Sequence, residues 1–144
     1  MNDEVIEVIV HGTPVAKGRP RFNTKTGRTY TDTKTATYEN LVRLAFVEKY
    51  PDFKPLEGAL TLSVMACFPI PVSWSKKRRE RAQNNRIYKT SRPDADNLVK
   101  SVCDGLNGVL WLDDAQIVNL HVYKMYSTYP RTEITVWEED ESNE

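Results

Sequence analysis

Two aspartates at a predicted helix start carry the clearest chemical signal in this sequence. Asp94 and Asp96 are two residues apart in the segment 92–100, so both carboxylates can project from the same end of a helix. Mg²⁺ binds oxygen ligands and typically takes one or two protein carboxylates while keeping waters and substrate phosphates. Aspartate is also favoured at the N-cap and in the first helical turn, but a helix needs only one capping side chain. The pair therefore predicts a divalent-metal site.

Lys100 lies one helical turn beyond Asp96, and Asp104 lies a further turn away, so all three share one face of the predicted helix. From this position the Lys100 ammonium could polarise an attacking water or offset the charge on a phosphate during its transfer. An exposed row of ion pairs is the alternative, and it would contribute only about 0.3–0.5 kcal/mol per pair. Asp104 is expected to have a structural role.

A second acidic pair, Asp113 and Asp114, follows the apolar stretch 109–112, which is predicted to be a short strand. Neighbouring residues on an extended backbone point in opposite directions, so only one of the two can face Asp94 and Asp96, and the spacing does not decide which. An acidic turn is the alternative. Carboxylates that converge on one pocket repel one another unless a cation neutralises them. We therefore expect these acids to gather around a metal ion.

Charge is unevenly distributed along the chain, although the formal net charge is zero. Residues 1–92 hold 17 Lys and Arg against 9 Asp and Glu, whereas residues 93–144 hold 3 against 11. A positive surface beside a group of carboxylates suits a protein that binds a polyanion and holds cations against it. The basic run 76–81 on its own would equally suit a solvated helix. The residues expected to contact the phosphates of such a polyanion are Lys17, Arg19, Arg21, Lys76, Lys77, Arg78 and Arg79.

The pattern of apolar residues predicts an α+β fold in which a mixed or antiparallel sheet of about four strands has helices packed on one face. Alternating residues predict strands at 5–10 and 60–68, the second half-buried. Two antiparallel strands joined around Pro130 are predicted at 117–126 and 133–138. Together these elements form a single two-layer domain over residues 1–137, and the acidic tail 138–144 is expected to be disordered.

Three helices are predicted between these strands. Residues 37–50 show helical spacing, and residues 94–107 form a helix that ends at Gly108 as its C-terminal cap. A short basic helix is expected to follow a cap at Ser73 or Ser75. A hairpin is expected at Thr26–Gly27, with Phe22 and Tyr30 packed into the core in preference to stacking on DNA bases. The apolar stripe of the first helix comprises Tyr38, Leu41, Leu44, Ala45 and Phe46.

Composition excludes several classes of protein. The two cysteines, Cys67 and Cys103, fall inside a predicted strand and a predicted helix, so neither a disulfide framework nor a zinc site is expected. The longest apolar run, residues 60–70, is interrupted and too short to cross a bilayer. No secretory signal is expected, because Asp3 and Glu4 stand where a basic region followed by an apolar stretch would be needed. The expected location is the cytoplasm.

The order of these motifs resembles the RusA family of Holliday-junction resolvases. The resemblance rests on Arg-Pro-Asp-Ala-Asp-Asn-Leu-Val-Lys at 92–100, Asp-Gly-Leu-Asn-Gly at 104–108 and Asp-Asp-Ala-Gln-Ile at 113–117. The segments 12–21 and 74–77 also resemble that family, so the likeness spans about residues 5–137. It implies a small α+β fold, a homodimer and Mg²⁺-dependent paired nicks across four-way DNA junctions, in recombination and repair in a bacterial or prophage setting.

The resemblance also assigns roles to individual residues. The metal carboxylates of the family correspond to Asp94, Asp96 and Asp114, and its active-site lysine corresponds to Lys100. Asp114 is chosen over Asp113 because it directly precedes the Ala-Gln pair at 115–116. The number of metal ions stays open. Two alternatives also remain: another metal-dependent nuclease or phosphotransfer enzyme, and a non-catalytic DNA-binding module in which the acids only cap and form ion pairs.

Overall fold

The computed structural model of this protein describes residues 4–18, 21–30 and 32–141. The side chain of Arg21 also lies outside the description. The elements in chain order are β1 (Val5–His11), β2 (Arg21–Asn23), β3 (Arg28–Tyr30), α1 (Thr33–Lys49), β4 (Leu60–Pro69), α2 (Lys76–Gln83), α3 (Ala95–Leu106), β5 (Ile117–Ser127) and β6 (Arg131–Glu138).

The main sheet is mixed and has the strand order β1-β6-β4-β5. Strand β6 runs antiparallel to both β1 and β4, whereas β4 and β5 are parallel. Strands β1, β4 and β5 therefore all end at the same side of the sheet, which we name the carboxyl edge; the opposite side is the amino edge. Helices α1, α2 and α3 cover one face, since their apolar residues join those of the sheet in two clusters. The predicted α+β class is confirmed.

Strands β5 and β6 have opposite directions, as predicted, but they do not pair with each other because β4 lies between them. The position of β4 has a physical reason. Leu60, Leu62 and Val64 are fully buried beneath the helices, and Thr61 and Cys67 are buried on the other face. A strand buried on both faces suits the interior of a sheet, where both of its edges are hydrogen-bonded. The prediction of a half-buried β4 was wrong only in part, since Ser63 and Met65 on that other face remain partly exposed.

Helix α1 begins earlier than predicted. Asp32 caps it by accepting a hydrogen bond from the Thr35 amide at 3.0 Å. Its buried face consists of Thr35, Tyr38, Val42 and Phe46, whereas Leu41 and Leu44 are 47% and 53% exposed. The predicted stripe was therefore partly wrong: burial follows the i, i+4 row that faces α3 and β1, and the two leucines lie beside that row.

Helix α3 buries its predicted apolar face and approaches α1 closely at Gly105. A Cβ atom at this position would lie 2.8 Å from the Glu39 carbonyl oxygen and 3.0 Å from Val42 Cβ. At the end of the helix the Asn107 amide donates to Cys103, and Gly108, with φ +84°, donates to Trp111. The prediction of a strand at 109–112 was wrong. This segment is a turn because it buries two consecutive large side chains, Leu110 and Trp111, on the same core, which an alternating strand cannot do.

The smaller elements agree more closely with the sequence pattern. Ser75 caps α2 by accepting a hydrogen bond from the Arg78 amide. The β2–β3 hairpin turns through Gly27, which has φ +69°. Phe22 and Tyr30 on this hairpin are exposed, so their predicted place in the core was wrong. Among the described residues no helix has the length and apolar character needed to cross a membrane.

The folded domain extends past the predicted boundary at residue 137. Glu138 closes β6, and the Glu139 amide donates to the Ala59 carbonyl at 2.8 Å. The Glu139 carboxylate also accepts a hydrogen bond from the Thr61 hydroxyl, which lowers its pKa. Glu138 is therefore part of the sheet and Glu139 is hydrogen-bonded beside it, and residues 142–144 lie outside the described part of the chain.

Candidate active site

Asp94 and Asp96 stand at the start of α3, on the carboxyl edge of the sheet. Asp94 is the N-cap residue, but its side chain makes no capping hydrogen bond. Asp96, in the first turn, accepts one from the adjacent Asn97 amide at 3.0 Å. Both side chains are exposed. Helix capping therefore does not account for the Asp94 carboxylate, whereas one oxygen of Asp96 bonds a first-turn amide. Both carboxylates face solvent at one helix end.

The loop that follows β1 holds α3 in place. The Lys17 amide donates to the Asn97 carbonyl at 2.8 Å, and the Ser101 hydroxyl donates to the Val15 carbonyl at 2.7 Å. Ser101 is completely buried at this contact. These bonds position the first two turns of α3, and with them both acids, against the carboxyl edge.

Lys17 serves the same attachment through its side chain. Its Nζ atom lies 2.7 Å from Glu39 Oε2 and 3.0 Å from Asp104 Oδ2, and the side chain is only 16% exposed. Burial acts to lower the pKa of Lys17, but the hydrogen bonds to Glu39 and Asp104 raise it overall. The ammonium group therefore links the loop to α1 through Glu39 and to α3 through Asp104.

Lys100 is exposed on α3, one turn beyond Asp96. Within the part of the chain that the structure describes, it takes part in no ion pair, and Asp104 pairs with Lys17. The described residues therefore do not form the alternative arrangement, a row of ion pairs along this face of α3. The Lys100 ammonium is accessible beside the two acids.

Asp114 begins a single turn of 3-10 helix, residues 114–116, which leads into β5 at the amino edge. Its Oδ2 atom accepts a hydrogen bond from Asn107 Nδ2 at 3.3 Å, at the end of α3. Gln116 secures the turn: its side chain accepts from the Leu112 and Asp113 amides and donates to two carbonyls of the segment before β4. Asn107 was not singled out from the sequence, although it belongs to the 104–108 motif.

The buried thiol of Cys103 lies close enough to Asp114 to be influenced by its charge. Burial raises the pKa of Cys103 to about 12, and the negative charges of Asp114 and Asp104 add to the shift. Cys103 is in the last turn of α3, far from Asp94. Both cysteines are free and buried, as the sequence predicted.

The three predicted metal carboxylates therefore do not meet within one chain. Asp94 and Asp96 lie at the beginning of α3, and Asp114 contacts its end. Twelve helical residues at about 1.5 Å each separate these ends by about 18 Å. Accordingly, residues 4–18, 21–30 and 32–141 contain no group of three or more His, Cys, Asp or Glu that could hold a metal ion. Within one chain these acids therefore do not form one site, and their convergence on a metal ion stays a prediction.

Four of the seven residues expected to contact DNA lie on α2 with exposed side chains. Arg78 stacks its guanidinium group on the Trp74 ring, 3.9 Å from the ring centre. Lys76 and Arg79 line a cleft between α2 and the turn at residues 127–130. Lys17 is engaged with two carboxylates, as described above. Arg19 and the side chain of Arg21 lie outside the described residues.

Comparison with known proteins shows the family to which this chain belongs. The family model described as "Endodeoxyribonuclease RusA" matches residues 11–137, which hold the carboxyl edge, α2, α3 and Asp114. The chain is also similar to a protein of Bacillus subtilis (strain 168) named YqaN and described as uncharacterized. The two are 36% identical over 139 residues, which cover 94% of this chain and 97% of the relative. This chain belongs to the RusA endodeoxyribonuclease family.

Proposed function

We propose that this chain is a Mg²⁺-dependent Holliday-junction resolvase that acts as a homodimer in DNA recombination and repair. The observation that carries the proposal is the pair Asp94 and Asp96: two exposed carboxylates at one helix end, the first without a capping hydrogen bond, in a chain of the RusA family. A junction resolvase must make two matched cuts, and a twofold dimer supplies two equivalent sites.

The donor set suits a hard divalent cation. Mg²⁺ takes one or two protein carboxylates and keeps waters and substrate phosphates as its other ligands, so Asp94 and Asp96 can hold it without a closed cage. The bound ion would supply Lewis-acid activation of a phosphate oxygen and of the attacking water. The protein's own contributions are orientation by the residue 12–18 loop and positive charge from Lys100.

Lys100 is the chain's own candidate for stabilising charge in the transition state. Its ammonium is exposed one turn beyond Asp96, on a helix that the Ser101 and Lys17 bonds hold in position. A fixed cation near a phosphate that gains negative charge stabilises the transition state without further reorganisation. Asp104 is not available for a similar role, since it pairs with Lys17.

A second copy of the chain would complete the acidic set. A twofold axis that crosses α3 near its middle would bring the start of this helix in one copy next to its end in the other. Asp94 and Asp96 of one protomer would then share a site with Asp114 of its partner. Each dimer would contain two such sites, related by the same axis that relates the two strands to be cut.

Phosphate contacts would come chiefly from α2, with Lys76, Lys77, Arg78 and Arg79 exposed near the carboxyl edge. Contacts of this kind bind any sequence and weaken as salt concentration rises. Arg19 and Arg21 remain candidates for the same role. Lys17 is better explained as a residue that positions α3, because both of its acidic partners belong to the protein.

The proposal is tested with end-labelled synthetic four-way DNA and a linear duplex of the same sequence. With Mg²⁺, the wild-type protein should introduce paired, symmetric nicks in the four-way DNA that a ligase can reseal, because the expected ends are 5′-phosphate and 3′-hydroxyl. The variant Asp94→Asn should bind the junction but not nick it. Equal cleavage of both DNAs would favour a general nuclease. Binding without any cleavage, across a range of pH and Mg²⁺ concentration, would identify a non-catalytic binding module.

A further inference from the structure

Two lysines from distant parts of the sequence meet at Ser91. Lys124, near the end of β5, donates from Nζ to the Ser91 carbonyl at 2.8 Å. Lys89 donates from Nζ to the Ser91 hydroxyl at 2.7 Å. Both lysine side chains are half-buried. The contacts bring two ammonium groups to one residue of the loop that precedes α3.

No acid of the described chain neutralises this pair. The ion pairs among residues 4–18, 21–30 and 32–141 involve Lys17 and Arg131, but neither Lys89 nor Lys124. Lys89 instead lies over the rings of Phe68 and Tyr126, 4.8 and 5.7 Å from their centres. Burial, and then the charge of Lys124, lower the pKa of Lys89. Two half-buried ammonium groups that meet at one residue repel each other, so a bound anion would stabilise this arrangement.

The pair lies close to the candidate active site. Ser91 precedes Asp94 by three residues, so their Cα atoms are at most about 11 Å apart. Lys124 stands near the end of β5, on the same carboxyl edge as Asp94 and Asp96. An anion held here would therefore be a neighbour of any phosphate held at the two acids.

We infer that Lys89, Lys124 and Ser91 form a binding site for a backbone phosphate of the DNA strand that is cut, adjacent to the scissile phosphate. This inference rests on the proposed nuclease function. Each ammonium carries three N–H donors and uses one of them on Ser91, so donors remain for phosphate oxygens. The Ser91 hydroxyl can donate its own hydrogen while it accepts from Lys89. The phosphate would supply the negative charge that the described protein residues do not provide.

A purely structural role makes a different prediction. If the two lysines only fasten the loop at residues 84–92 to β5, their hydrogen bonds matter and their charges do not. Glutamine can still donate to Ser91 but carries no charge. The double variant Lys89→Gln/Lys124→Gln therefore separates the two roles, and Lys89→Arg/Lys124→Arg restores the charge.

The measurement is binding to four-way DNA in EDTA, followed across a series of KCl concentrations. Each phosphate contact contributes about 0.9 to the slope of log K against log salt, so the Gln variant should lose about one unit of slope. Its affinity at moderate salt should fall roughly tenfold, as expected for the loss of charge-assisted contacts. The Arg variant should keep the wild-type slope. Thermal unfolding midpoints are compared in parallel.

Lys49→Gln is the matched control. Lys49 also donates to a backbone carbonyl, that of Glu7 at 2.7 Å, but it lies at the end of α1 beside β1, away from α3 and β5. Its substitution should leave the slope unchanged. An equal loss of slope in this control would overturn the inference, because any lost charge would then have the same effect.

The outcomes also separate this inference from the proposed function. If the wild-type protein binds four-way DNA and the Gln variant keeps the wild-type slope, the phosphate site is overturned and the nuclease proposal is unaffected. Wild-type protein that neither binds nor nicks four-way DNA overturns both. If the double variant does not fold, the single variant Lys124→Gln takes its place. Its slope should fall and should recover in Lys124→Arg; a slope that stays at the wild-type value overturns the site.

Discussion

The carboxylate of Asp94 occupies the position at which an aspartate most often caps a helix, yet it makes no capping hydrogen bond. Asp96 bonds only to the neighbouring amide. Both acids are exposed, next to an exposed lysine one turn further on, so their carboxylates are available to a ligand. At the scale of single residues, this availability is the strongest structural support for a metal-dependent reaction.

The adjacent acids Asp113 and Asp114 allow a matched test of one metal ligand. In the proposed site only Asp114 contributes, so Asp114→Asn should reduce the rate of junction nicking by about a hundredfold or more, because a metal ion contributes several kcal/mol of transition-state stabilisation. Asp113→Asn should stay close to wild type, since asparagine is as good an N-cap for the turn at 114–116 as aspartate. Single-turnover nicking rates measure both. The reverse order of effects would assign the role to Asp113.

At the scale of elements, the site depends on how α3 is held. The loop at residues 12–18 bonds to it at Asn97 and Ser101, Lys17 bonds to Asp104, and α1 packs along its other side at Gly105. Each attachment comes from a segment distant in sequence. The position of Asp94 and Asp96 is therefore a property of the α1–α3–loop unit and not of the helix alone.

Substitution of Gly105 tests the close contact between α1 and α3. In an unstrained helix interior, replacing glycine with alanine stabilises by about 1 kcal/mol. Here the new Cβ would lie 2.8 Å from the Glu39 carbonyl oxygen, so α1 must shift. We expect Gly105→Ala to lower the free energy of unfolding by about 1–3 kcal/mol, as overpacking does. Urea denaturation measures the change, and a more stable variant would contradict the close approach of α1 and α3.

At the scale of the whole molecule, the separation of the acids by the length of α3 leads to a prediction about subunits. If Asp94 and Asp96 act together with Asp114 of the partner, a mixed dimer can regain activity. One protomer carries Asp94→Asn and the other carries Asp114→Asn. One of its two sites then lacks acids from both protomers, and the other site is intact. Each homodimeric variant should be inactive, whereas the mixed dimer should nick one strand of the junction.

Differently tagged protomers, co-expressed and purified through both tags in turn, provide the mixed dimer. Its activity is compared with that of wild-type dimers prepared in the same way. A mixed dimer that assembles but does not nick would show that Asp94 of one protomer and Asp114 of the other do not form one site, and the proposed shared site would have to be abandoned. A chain that remains monomeric while nicking junctions would have the same consequence.

The sequence by itself determined the features that depend on local chemistry and short spacing. The Asp94, Asp96 and Lys100 arrangement and the buried face of α3 follow from residues within a few turns of one another, as does a helix cap at Ser73 or Ser75. The RusA resemblance rests on several such short motifs along the chain. The α+β class followed as well, because apolar periods differ between helices and strands whatever their partners.

Only the tertiary structure decided which distant segments meet. Strand β4 lies between β5 and β6, which the alternation of residues along each strand does not record because strand pairing joins segments far apart in sequence. Asp114 contacts the end of α3, Lys17 turns inward to Glu39 and Asp104, and Lys89 meets Lys124 at Ser91. Residue types and spacing along the chain leave these contacts open, because each depends on packing between elements far apart in sequence.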